Sequence, residues 1–202
     1  MDLIINISYK YKISHLSSNL TTYPIIDHIY KNKNKNDKVI LSSGHAGLAL
    51  YVALQKYEGH DAEKLYNDFG VHPYRDISRG IHASTGSLGC GITIATGMAL
   101  ADPNNDIYCI ISDGECAEGT VWESLNFAYK NNLKNLKIYV NANGYSAYDT
   151  VDVNNLENRI KSFCPWTEIW YTKCPDIDFL KGLHGHYHVM NENNYNDILK
   201  II

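Results

Sequence analysis

The stretch Ile107–Ala128, "IYCIISDGECAEGTVWESLNFA", decides the fold. An apolar, β-rich run ends at Ser112, an aspartate and a glycine follow at once, and a helical pattern begins at Gly119. A charge at the end of a strand is costly unless something pairs with it, and a metal ion is one such partner. The next β-rich run is "LKIYV", Leu136–Val140. Strand, helix and strand joined by short connections imply a right-handed parallel crossover.

Working outward, apolar periodicity predicts helices near Asn19–Lys31, Gly44–Tyr57, Asp61–Asp68, Ser87–Leu100 and Gly119–Asn131, and a further strand at "KVIL", Lys38–Leu41. In the tail, "TEIWYT" and "HYHVM" read as strands and "NYNDILKII" as a closing helix. The polar run Lys31–Asp37 is a solvated loop, and there is no internal repeat and no dividing linker. The fold expected is an α/β three-layer sandwich with a mainly parallel sheet, in one domain spanning 1–202.

Composition narrows the function classes. The 202 residues carry a formal charge of −4, which leaves no electrostatic footprint for nucleic acid. No apolar run approaches the ~18 residues of a spanning helix. The opening "MDLIINISYKYK" lacks the apolar core of a secretion signal, so a cytoplasmic protein is expected. Cys90, Cys109, Cys116, Cys164 and Cys174 are irregularly spaced and read as free thiols.

In parallel sheets the ligand site lies beyond the carboxyl ends of the strands. Asp113 follows one strand and Asn143 the other, about one βαβ unit apart, so both reach one sheet edge. Asp and Asn oxygens with a nearby carbonyl are hard ligands of the kind Mg²⁺ selects, while phosphate oxygens fill its other positions. Gly114 lets the backbone approach a diphosphate at a helix N-terminus. Spacing alone also permits Asp113 as a helix N-cap and Asn143 in a turn with Gly144.

"SDGECAEGTVWESLNFA", followed by "NLKIYVNANGY", resembles the thiamine diphosphate motif, and its Glu-Gly-x-x-Trp-Glu continuation resembles transketolases. Three more segments match the family in order: "ISHLSSNL" (Ile13–Leu20), "LSSGHAGLALYVAL" (Leu41–Leu54) and "HPYRDISRGIHASTGSLGCGITIATGMALA" (His72–Ala101). The resemblance is strongest over 13–150, and 151–202 diverge. It implies the diphosphate-binding domain of a thiamine diphosphate- and Mg²⁺-dependent transketolase, with Ca²⁺ as a substitute ion, transferring a two-carbon ketol unit between sugars or sugar phosphates.

Carried over residue by residue, Asp113, Asn143 and the Tyr145 carbonyl match metal ligands, and Gly114 matches a diphosphate contact. His45 matches a histidine touching the diphosphate beside the substrate channel, while His15 and His72 match histidines contacting substrate oxygens. Gly86 and Leu88 match the turn against the cofactor rings. Imidazoles titrating near neutrality would exchange protons with ketose hydroxyls. Glu118 and Glu123 match glutamates near a subunit interface, though both also suit an ordinary helix surface.

The chain departs from the family in three ways. Ser112 stands where the motif opens with Gly, no pyrimidine-binding domain follows, and the segment carrying a further diphosphate histidine is not recognisable. The expectation is therefore one subunit of a split enzyme, completed by a separate pyrimidine-binding chain in a hetero-oligomer built on a dimer. The alternatives are a non-catalytic binding protein of this fold and a subunit of another thiamine diphosphate enzyme. The tail's His184, His186 and His188, at period two, would share one face of a strand, either solvated or able to hold a transition metal.

Overall fold

Alternation along three strands separates two cores. In the computed structural model, which describes residues 1–201, β1 (Lys38–Leu41), β2 (Ile107–Ser112), β3 (Leu136–Ala142) and β4 (Glu168–Tyr171) pair side by side in chain order, every pair parallel. Val39, Leu41, Tyr108, Ile110 and Tyr139 face one core. Ile40, Ile107, Cys109, Ile111, Ile138 and Val140 face the other, as the two-residue period of a strand requires. Strands buried on both faces read as continuous apolar runs, which is how β2 reads.

Helices cover both faces. α1 (Asp2–Lys10), α2 (Leu16–Asn32), α3 (Gly47–Glu58), α4 (Ala62–Phe69) and α9 (Glu192–Ile198) supply the first core, and α5 (Cys90–Ala101), α6 (Gly119–Lys130) and α7 (Val153–Phe163) the second. The short α8 (His184–Tyr187) lies against α2. This is the expected α/β sandwich, with a fully parallel sheet. Among the described residues no helix is long and apolar enough to cross a membrane.

The differences from the sequence reading have local causes. α1 is an additional helix: its isoleucines have weak helix propensity, but Ile4, Ile5 and Ile7 are buried, and tertiary burial overrides propensity. α7 buries only Leu156 and Ile160, one turn apart, and is announced by Asp152, whose carboxylate accepts the Asn155 N–H. α5 begins at Cys90 rather than Ser87, because Gly89 takes a left-handed φ of 76° at the N-cap. "TEIWYT" does supply β4, whereas the residues expected to form a strand at "HYHVM" include the last turn of α8.

Candidate functional site

The carboxyl ends of the first three strands each lead straight into a predicted site segment. Ser42–His45 follow β1, Asp113–Glu115 follow β2 and Asn143–Tyr145 follow β3. The first turns of α2 and the tail around His186 close the other sides of one cleft, with an enclosed volume of about 70 Å³. That is room for several waters, not for a two-ring cofactor, so any larger ligand extends over its mouth.

Behind one end of the cleft lies a buried acid. Asp113 is 2% exposed, and its two oxygens accept the N–H groups of Gly114 (3.0 Å) and Gly144 (2.6 Å). Burial nevertheless raises its pKa to about 6, against the pull of those N–H groups. The Asn143 side-chain oxygen accepts the Tyr145 N–H at 2.9 Å, and the Tyr145 carbonyl lies 3.7 Å from where a Cβ on Gly114 would stand. Asp113, Asn143 and Tyr145 are thus brought together at the sheet edge, with Gly114 between them. Asp113 also caps the short turn that follows it, so the helix-cap reading and the site reading describe one geometry.

The other end is aromatic. The His15 ring lies 5.2 Å from His45 and 4.6 Å from His186, and His45 lies 5.5 Å from His186. His15 occupies the N-cap of α2 in a left-handed conformation, and its N–H is donated to the His186 carbonyl at 3.0 Å. His72 is exposed at the rim, where a Cβ on Gly86 would approach its ring to 3.1 Å. Gly44 packs so closely on the Gly86 turn that a Cβ there would lie 2.7 Å from the Gly86 nitrogen. Leu88 lines the cleft beside His45.

The expectation of imidazoles titrating near neutrality does not hold for His15 and His45. Burial, then repulsion from neighbouring imidazoles, lowers His15 to about 4 and His45 to about 3. Burial lowers His186 as well. At neutral pH these three rings are uncharged and each carries one N–H donor and one acceptor nitrogen.

The tail histidines do not share a strand face. His184 and His186 sit on α8 and His188 ends it, with His188 Nε2 2.8 Å from the Asn194 side-chain oxygen. Among the described residues no group of three or more His, Cys, Asp or Glu could hold a metal ion. Sequence reasoning missed that His186 joins His15 and His45. The available signal was the pair Gly185–His186, which repeats Gly44–His45 and likewise lets the chain pack tightly. It also missed Ser43, whose buried hydroxyl lines the cleft without a partner, and the fully buried Glu115.

The donor set suits a metal-bound diphosphate. A buried carboxylate held up to about 6, an amide oxygen and a carbonyl form a hard-oxygen group, with no Lys or Arg among the residues lining the cleft. The orphan Ser43 hydroxyl awaits a ligand atom. Fold and cleft together define an α/β domain whose cleft lies across the carboxyl ends of a parallel sheet, where such folds place their ligands.

A profile of the family "Transketolase, thiamine diphosphate binding domain" matches residues 16–174. The chain belongs to this family. It is 33% identical over 182 residues to the 6-deoxy-6-sulfo-D-fructose transketolase subunit SqwG of Clostridium sp. (strain MSTE9), covering 80% of this chain and 64% of that protein. To an apulose-4-phosphate transketolase subunit from Phocaeicola vulgatus it is 27% identical over 176 residues, covering 77% and 62%. A mutant transketolase from Pichia stipitis superposes with a TM-score of 0.67 at 25% identity, covering 80% of this chain and 29% of that one. The chain therefore spans less than two thirds of each.

Proposed function

We propose that this chain is the diphosphate-binding subunit of a thiamine diphosphate-dependent, transketolase-like transferase that moves a two-carbon ketol unit between sugars or sugar phosphates. The carrying observation is that Gly114, Asn143 and Tyr145 line the same cleft as His45 and Leu88, with the Asp113 carboxylate bound directly behind them to the Gly114 and Gly144 N–H groups. In this reading Asp113, Asn143 and the Tyr145 carbonyl hold Mg²⁺, or Ca²⁺ in its stead, and the Gly114 backbone and His45 contact the diphosphate. His186 joins His45 there, since its ring shares the cleft. Gly86 and Leu88 lie against the cofactor rings and keep water off them.

When bound, the cofactor supplies the electron sink for carbon–carbon bond cleavage. The chain's own part is orientation and proton handling. His15 and His72 contact substrate oxygens, and because the Ser14 hydroxyl engages Nδ1 of His15 at 2.7 Å, its Nε2 is the atom left to meet a substrate hydroxyl.

A separate pyrimidine-binding chain completes the site, in a hetero-oligomer built on a dimer. The names of two relatives describe transketolase subunits. An apolar face on α5 and α6 supports a partner: Ile94 is 38%, Leu100 53% and Phe127 42% exposed, with Glu123 beside Leu100 and Phe127 in one groove. Glu118 and Glu123 belong to that interface. Five free cysteines agree with a reducing cytoplasm.

Calorimetry with thiamine diphosphate and Mg²⁺, in the presence of the partner chain, tests the reading. Tight, Mg²⁺-dependent binding that Asp113→Ala and Asn143→Ala abolish is expected. Normal cofactor binding by both variants overturns the metal assignment.

A further inference from the structure

Three segments that carry site residues meet at one carboxylate for which the proposed chemistry has no use. Glu115 is fully buried. One of its oxygens accepts the Ser42 hydroxyl at 2.6 Å and the Gly89 N–H at 3.0 Å. The other accepts the Ser112 N–H at 3.0 Å, and the Ser112 hydroxyl accepts the Glu115 N–H at 3.2 Å in return.

Each donor sits next to a site element. Ser42 precedes Ser43–His45, Gly89 follows the Gly86–Leu88 turn, and Ser112 precedes Asp113–Gly114. The two neighbouring acids divide the work by direction. Asp113 meets Gly114 and Gly144 at the cleft, while Glu115 reaches Ser42 and Gly89 on the segments beside it.

We propose that Glu115 is a positioning residue: its carboxylate fixes the spacing between the His45 segment, the Gly86–Leu88 turn and the Asp113–Gly114 loop, and through them the geometry of the diphosphate site. What the site holds rests on the reading given under Proposed function; the clamp itself is a property of the free chain. The chemistry explains why a carboxylate stands there. Three donors converge, and both oxygens of an ionised carboxyl accept. A glutamine of the same shape would turn an NH₂ donor toward either the Ser112 N–H or the Ser42–Gly89 pair, leaving donor against donor. An aspartate is one methylene too short to hold all three.

The test uses the full chain with Glu115→Gln and Ser42→Ala, and with Leu54→Ala as a control in the opposite core. Amide hydrogen exchange is followed by NMR. In Glu115→Gln the Gly89 and Ser112 amides should exchange at least ten times faster, with the Ile110 and Leu125 amides unchanged. Affinity for thiamine diphosphate with Mg²⁺, measured with the partner chain, should fall about tenfold or more in Glu115→Gln and about threefold in Ser42→Ala. Leu54→Ala should keep wild-type affinity even where its melting temperature is lower than theirs.

Unchanged exchange at Gly89 and Ser112 overturns the clamp, as does an affinity loss that merely tracks melting temperature across the three variants. If Glu115→Gln does not fold, Ser42→Ala decides by the same affinity comparison and by exchange at the Gly89 amide, whose acceptor it shares. If the wild-type chain binds no cofactor, the reading of the site fails, and the exchange pattern still decides the clamp by itself.

Discussion

Behind the acidic end of the cleft, Asp113 is buried yet supplied with two N–H donors, whereas at the other end His15, His45 and His186 are half-buried against one another's rings. Burial acts on both ends and pushes the groups in opposite directions. It raises the carboxylic acid to about 6 and lowers His45 to about 3, so both are biased toward their uncharged forms. Only the first end gathers a carboxylate, an amide oxygen and a backbone carbonyl. Under the proposed function the buried acid would take a metal ion and the neutral imidazoles would meet substrate hydroxyl groups.

The sharpest way to break this division is kinetic. His15→Ala in the reconstituted enzyme should lower kcat about 10²–10⁴-fold while leaving cofactor affinity nearly intact. A matching loss of cofactor binding would show that the two ends are one unit. At the acidic end, Asp113→Asn should weaken Mg²⁺-dependent cofactor binding by about 10–100-fold or more in calorimetry, taking the loss typical of a group that merely supports a metal ligand as the lower bound. Equal binding with and without Mg²⁺ would sink the contrast.

A smaller effect concerns pH and the free chain. Between pH 6.5 and about 4 the unfolded chain protonates His15 and His45 while the folded chain does not, so their contribution to stability is lost as pH falls through that window. Asp113 works oppositely, since its raised pKa lets the folded state take a proton first between about 6 and 3.8. Two histidines against one aspartate, with His15 only half-buried and discounted for screening, contribute a loss on the order of 2 kcal/mol from pH 7 to 5, and His82, which burial lowers to about 4, adds a loss of the same sign. Urea titrations at the two pH values measure it, and His45→Ala should flatten the slope. The smallest effect belongs to Ser43→Ala. Its hydroxyl has no partner in the free chain, so melting should hardly change while ligand affinity falls by about 1 kcal/mol, read by calorimetry.

Legibility followed the same division. Asp113, Gly114 and Asn143 stand just beyond β-rich runs, so the rule that ligands bind beyond the strands' carboxyl ends reaches them from spacing, whereas Tyr145 is named only through the family resemblance. His15 and His45 needed the family resemblance, because nothing in the periodicity of "ISHLSSNL" says where its helix will lie. His186 escaped both. It comes from a segment whose alternating histidines imitate a strand, and only packing against α2 turns that segment into α8. Glu115 escaped because a glutamate after a strand reads as surface, and its burial depends on donors from segments up to 73 positions away.

A polar joint at the cleft ties α2 to β3 in time as well as in space. The Asn141 amide donates to the hydroxyls of Thr21 and Thr22, about 120 positions earlier, at 3.1 and 3.0 Å. α2 therefore emerges from the ribosome long before the strand that completes its bonds exists. Until β3 is made, its buried face, with Leu16, Leu20, Ile25, Ile26 and Ile29, lacks part of its covering surface. Pairings this distant slow folding and leave sticky intermediates. This chain should lean on chaperones during synthesis, and a ribosome stall before residue 141 should release an aggregation-prone fragment.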